Sequence, residues 1–140
     1  MRLNLDFDIK IGLKKERTVK TDSNQTTTFL WEGENVLSTP SMISEMEETC
    51  RLLLKEFCLK QSDWDSVGTI VNIKHLAATP IGSKIKLEAI IESTEGRKVM
   101  FIINAYDEIE KIGEGKHERF IINVPKFREK FEEKRRRLLN

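Results

Sequence analysis

Glu47 occupies an unusual place for a carboxylate. In the segment STPSMISEMEETCRLLLKEFC, the residues Met42, Ile43, Met46, Cys50, Leu53, Leu54 and Phe57 recur at helical spacing. A helical projection sets Glu47 at the border of that apolar stripe, beside Ile43, Cys50 and Leu54, with Glu45, Glu48 and Arg51 turned away. A carboxylate at such a border gives up part of its water and becomes a more effective base or nucleophile. The plainer alternative is a boundary residue that reaches solvent. His75 raises a similar question, because it ends the apolar run SVGTIVNIKH directly before the small-residue bend LAATP. It is expected on one strand face with Val67, Thr69, Val71 and Ile73. Imidazole exchanges a proton near neutral pH, although a lone strand histidine is more often a hydrogen-bonded core or rim residue. Thr39 could act through its hydroxyl, or could simply punctuate the start of the helix before Pro40. On one straight helix Thr39 and Glu47 lie roughly 12 Å apart, so bringing them together needs a bend or the facing residue of a second subunit. His117 and Arg119 alternate onto the strand face of Gly113 and Gly115, where glycine permits close approach by a ligand or a backbone, or marks a bulge.

Other chemistries fit poorly. Cys50 and Cys58 fall on one helix about 12 Å apart, beyond disulfide reach, and with two distant histidines they form no zinc cluster. GEGKH lacks the P-loop spacing and opens no helix. The count of 24 Lys+Arg against 23 Asp+Glu leaves a formal charge of +1, far from the basic excess of a nucleic-acid binder. The EKRRRLL tail reads as a solvated helix end. The alternating N-terminus MRLNLDFDIK has no continuous apolar core of the signal-peptide kind, and no run approaches the roughly 18 apolar residues of a membrane span. A cytoplasmic chain without membrane or nucleic-acid partners is expected.

The elements that must position these side chains follow from periodicity. Leu3, Leu5, Phe7, Ile9 and Ile11 alternate with polar residues and predict a first strand. A short second strand is expected near Thr18, followed by a long loop carrying Phe29, Leu30 and Trp31. The long helix begins at Ser38 or Thr39. Then come the strand ending at His75, a hairpin of KIKLEAIIES and KVMFIINAYD joined by TEGR, and a last strand KIGEGKHERFIINV. PKFREKFEEKRRRLLN closes the chain as an amphipathic helix with Phe127, Phe131 and Leu138 predicted inward. One strand region, one long helix and at least four antiparallel strands without βαβ alternation imply a single α+β domain spanning residues 1–140, in which a sheet wraps a central helix.

Read together, TPSMISEMEETC, SVGTIVNIKHLAATPIGSKI and GRKVMFIINAYDEIEKIGEGKHERFIIN closely resemble the hot-dog-fold thioesterases related to fluoroacetyl-CoA thioesterase. The likeness runs from about Thr39 through Lys126, with HLAATP and IGEGKHER its most specific parts. It implies a hot-dog fold, a homodimer or larger oligomer with sheets joined edge to edge and active sites at the interface, and an acyl-CoA or related thioester as substrate. It also implies a constellation of Thr39, Glu47 and His75, with Gly68 and Arg119 contacting substrate. Neither a metal nor a cofactor is called for. The fluoroacetyl enzyme has an aromatic gate shortly before its threonine, whereas the matching place here is near Gly33, with Trp31 the nearest aromatic, so fluoroacetyl specificity is not carried over.

The expected activity is therefore hydrolysis of an acyl thioester to acid and free thiol. Glu47 would attack the carbonyl or activate water, His75 would act as general acid/base, and Thr39 would orient the carboxylate or the carbonyl. The Gly68 N–H would donate to the oxyanion, and Arg119 would bind carbonyl or phosphate oxygens. A non-catalytic acyl-CoA or small-ligand binding dimer of the same fold is the alternative from another class, and a hot-dog dehydratase, which also uses a histidine and an acid, is a third.

Overall fold

A computed structural model describes residues 7–139. Strand β1 (Lys14–Lys20) precedes helix α1 (Thr39–Phe57), which is followed by β2 (Trp64–His75), β3 (Lys84–Glu95), β4 (Lys98–Tyr106), β5 (Lys111–Asn123) and helix α2 (Val124–Leu139). The strands form one antiparallel sheet in the order β1-β3-β4-β5-β2. None of the described helices is long and apolar enough to cross a membrane.

Helix α1 forms where its punctuation and stripe predict. Ser38 is the N-cap, its hydroxyl accepting from the Ser41 N–H at 3.2 Å, and Pro40 lies in the first turn. Capping by Ser38 leaves the Thr39 hydroxyl available for other partners. Met42, Met46, Cys50, Leu53 and Leu54 are buried against the sheet. Opposite them lie Ile85, Leu87, Ala89 and Ile91 of β3 and Val99, Phe101, Ile103 and Ala105 of β4, each set alternating inward as the period of two requires. Burying each of the Val, Leu, Ile, Phe and Met side chains among them contributes roughly 1.5–3 kcal/mol. Phe57, expected on the buried stripe, is 49% exposed at the last helical turn. Thr49 is buried instead, its hydroxyl donating to the Glu45 carbonyl and accepting from Arg17.

Three expectations about the elements change. The predicted first strand falls partly on residues 1–6, which lie outside the described residues, and 7–10 form no strand. Asp8 takes a left-handed backbone and Gly12 a positive φ, both incompatible with a continuous extended run, and the free edge of β3 is taken by β1. Phe7 and Ile9 nevertheless pack on the core, Phe7 edge-on to Trp64. The second change concerns β2, whose pairing with β5 slips between Gly68 and Ile70. This bulge inserts one extra residue and reverses the alternation, so Val67 opposes outward-facing Phe120 while Val71 opposes inward-facing His117. Val67 therefore does not share the face of His75. Third, α2 buries none of its residues. Phe127, Phe131 and Leu138 are 45%, 57% and 69% exposed, because the helix leaves the end of β5 and runs off the body of the protein.

The glycines of β5 admit the protein itself. A Cβ on Gly115 would lie 2.0 Å from the Asn72 carbonyl oxygen, and one on Gly113 would lie 2.7 Å from the Met42 sulfur. Gly115→Ala is predicted to destabilise the fold by about 2 kcal/mol or more, because the obstacle is backbone that cannot rotate aside. Urea unfolding measures this, and an unchanged midpoint would contradict it.

Candidate active site

The structure sorts the predicted site residues into two groups within the chain. At the N-terminal end of α1, Thr39 Oγ1 lies 2.7 Å from His75 Nδ1. Pro40 and the Ser38 cap fix Thr39 at the first turn, and the end of β2 brings His75 to it. The other ring nitrogen, Nε2, is buried and has no hydrogen-bond partner among the described residues. Burial pushes the pKa of this ring below the ordinary histidine value, opposed in part by the Ala77 backbone. His75 is thus a partly buried rim residue.

Two turns further along α1, Glu47 meets the second group. Its side chain keeps 37% of its exposure, and Oε2 lies 3.9 Å from His117 Nε2. The carboxylate rests against Gly68 so closely that a Cβ there would fall 2.8 Å from Oε2 and 2.9 Å from His117 Cε1. The family resemblance implies Gly68 as a substrate contact, and the packing adds a second reason for glycine. Arg119, paired with Gly68 across the β2/β5 ladder, is only 6% exposed. Its Nε donates to Ser66 Oγ at 2.7 Å, one Nη to the Ser66 carbonyl at 2.7 Å, and the other to His117 Nε2 at 3.1 Å. None of these partners carries a negative charge. A buried guanidinium without an anion among its hydrogen-bond partners is costly, and it leaves a strong field for an incoming carbonyl or phosphate oxygen. Glu47 and Arg119 line one open cleft of ≈ 470 Å³ with Arg17, Ser44, Glu45 and Glu48.

The two groups are separate within the chain. Six residues of β2 lie between Gly68 and His75, roughly 20 Å of extended chain, and Thr39 and Glu47 are held apart by the straight helix as expected. No group of His, Cys, Asp or Glu among the described residues has the geometry to hold a metal ion. Cys50 and Cys58 are both free and buried, with burial pushing the Cys50 thiol well up.

A family model described as fluoroacetyl-CoA-specific thioesterase matches residues 21–125. The chain belongs to that family. A fluoroacetyl-CoA thioesterase from Streptantibioticus cattleyicolor is 33% identical over 103 residues, covering 74% of this chain and 73% of the relative. A solved structure of fluoroacetyl-CoA thioesterase superimposes with a TM-score of 0.81 at 27% identity, over 90% of this chain and 97% of the other. A Thermus thermophilus hypothetical protein of the thioesterase superfamily gives a TM-score of 0.82 at 26% identity, over 93% and 96% of the two chains. The sheet wrapped on α1 is accordingly the hot-dog fold of the thioesterases.

Within this fluoroacetyl-CoA-specific thioesterase family fold, sequence reasoning overlooked Ser66 as the anchor of Arg119. A strand serine carries no distinguishing pattern, and its partner lies 53 residues away. His117 could be placed on the face of Arg119 by alternation, but its contacts depend on the bulge in β2. In the aromatic loop Phe29 and Trp31 are 79% and 60% exposed.

Both histidines are held below the ordinary value of about 6.5, chiefly by burial. The folded chain therefore binds fewer protons than the unfolded chain once the pH falls through that value. Stability is full above it and declines below it. The thermal midpoint is predicted to fall between pH 7 and pH 5, and a midpoint flat across that window would contradict the burial of the two rings.

Proposed function

We propose that this chain hydrolyses an acyl-CoA, or a closely related acyl thioester, to a carboxylic acid and free thiol, at sites built across a homodimer. Family membership supports the reaction class. The observation that carries the site assignment is the Thr39–His75 pair, with a short hydroxyl contact on one ring nitrogen and a buried, unpartnered nitrogen on the other. An orphaned buried polar atom costs roughly 1–3 kcal/mol, and such costs concentrate at functional sites.

The dimer supplies what one protomer lacks. Of the two sheet edges, β1 reads KKERTVK, and its five charged residues guard it against pairing. The other edge, β2, is uncharged from Ser66 to Ile73, and Ile70 and Val71 are each 45% exposed on it. If two β2 strands pair antiparallel about a twofold near Ile70, His75 of one protomer comes beside the Asp65–Val67 region of its partner. Thr39 and His75 of one subunit then face Glu47, Gly68 and Arg119 of the other. Glu47 attacks the thioester carbonyl or takes a proton from the attacking water. The developing oxyanion is met by the Gly68 N–H and the Arg119 guanidinium. His75, oriented by the Thr39 hydroxyl, exchanges the proton that the departing thiolate requires. The C–S bond is exchanged for a C–O bond, and no oxidant or reductant is involved.

Thiol release from a panel of acyl-CoAs, followed with a thiol-reactive dye against a protein-free control, tests the activity. Glu47→Gln keeps the size and removes the charge, and it is expected to lower kcat by about 10²-fold or more on the best thioester while the fold is kept. A wild-type protein that binds acyl-CoA without releasing thiol would favour the binding-dimer reading. A Glu47→Gln protein with most of its turnover would remove the carboxylate from the mechanism.

A further inference from the structure

The geometry points to His117 as a positioning residue that holds the Arg119 guanidinium, and this rests on the role of Arg119 proposed above. Chemistry alone fixes the state of the ring. Nδ1 lies 2.8 Å from the Ile70 carbonyl oxygen, which can only accept, so Nδ1 carries the proton. Nε2 lies 3.1 Å from Arg119 Nη1, which can only donate, so Nε2 must present its lone pair. His117 is therefore the neutral Nδ1–H tautomer. A protonated ring would set an N–H against an N–H and place two positive charges 3.1 Å apart. Every neighbour bears on this balance. Arg119 on its own strand opposes a positive ring, as does burial, while Glu47 across on α1, Glu118 beside it and the Ile70 backbone favour one.

The ring is 1% exposed and stacked on Phe101, with centroids 6.4 Å apart. Its Nε2 is occupied by Arg119, so His117 has no lone pair left to act as a base, although Glu47 Oε2 is only 3.9 Å away. What it can do is orient. The Ile70 carbonyl follows the β2 bulge, so the ring ties Arg119 to the irregular backbone beside Gly68. Together with Ser66 it engages three of the five guanidinium N–H groups. The remaining two N–H groups, one on each terminal nitrogen, are the ones available to a substrate oxygen. The direction in which they point is set by His117 and Ser66 together.

Nitrogen NMR on the wild-type protein with labelled histidine reads the tautomer directly. The account expects one histidine ring protonated at Nδ1 alone throughout pH 6–8, and that signal must vanish in His117→Phe. An Nε2–H or doubly protonated His117 at neutral pH would overturn the proposal whether or not the protein hydrolyses anything. The role is read from a double-mutant cycle of His117→Phe and Arg119→Gln, with His117→Gln as the variant that can still offer an oxygen to Arg119. Each of His117→Phe and Arg119→Gln is expected to lower kcat/KM by about 10- to 100-fold, and the double variant to be little worse than the poorer single one, because both remove the same interaction. His117→Gln should recover part of the loss. Losses that multiply in the double variant, or no recovery with Gln, would overturn the positioning role. If wild type itself releases no thiol, the hydrolase reading fails, and the cycle is read instead as the Kd of acyl-CoA, with the same non-additivity expected and the same additive outcome overturning it.

Discussion

Helix α1 can bury only one stripe, and the chemistry proposed for this protein is carried on the borders of that stripe. Met42, Met46, Cys50, Leu53 and Leu54 hold the helix to the inner face of the sheet, so closely that β5 has no room for a side chain at Gly113. With the stripe fixed, Thr39 at the first turn and Glu47 two turns on have no freedom to choose their neighbours. One reaches the end of β2 and the other its bulge. Moving the helix by a fraction of an ångström would strike the Met42 side chain against β5 or lift Glu47 from Gly68.

The second constraint is electrostatic. Arg119 brings a positive charge into a nearly dry place where its contacts are a hydroxyl, a carbonyl and an imidazole nitrogen. Such a group is tolerated when its hydrogen bonds are made, and it interacts far more strongly with a substrate oxygen than the same group in water. The cost is shared by Ser66, which gives both its side chain and its backbone oxygen, and by His117, which must stay neutral to contribute. Around this point a carboxylate, a guanidinium and an imidazole are arranged so that the Arg119 charge is not spent on a salt bridge to Glu47. The exposed surface elsewhere is knitted by ordinary pairs such as Lys111 with Glu114 and Lys116 with Glu92, which contribute little each.

Long periodic segments were legible in the sequence because their own spacing determines them. Helix α1 and the β3–β4 hairpin stand where the apolar repeat places them, and Glu47 and His75 stand out in the sequence because one borders and the other ends such a repeat. What could not be read depends on partners distant in sequence. The slip in β2 after Gly68 arises from its pairing with β5, so simple alternation does not give the face of Val67. The alternation of residues 7–11 resembles a strand, yet the available β3 edge is occupied. Phe127 and Phe131 have the spacing of a packed helix face, but the helix projects from the body that would cover them. Gly68 and Arg119 entered through the family resemblance, and the clamp of Ser66 and His117 on Arg119 became apparent only with the strands in register.

The central claim is that each active site takes Thr39 and His75 from one protomer and Glu47 from its partner. Mixing Glu47→Gln with His75→Ala protein under conditions that exchange subunits tests it most directly, with each variant alone as the control. In a mixed dimer one site inherits both defects and the other inherits neither. Each inactive parent should then give rise on mixing to roughly a quarter of wild-type turnover, as random pairing in a twofold dimer requires. A mixture as inactive as its parents, with subunit exchange verified, would contradict a shared site and confine the chemistry to one chain.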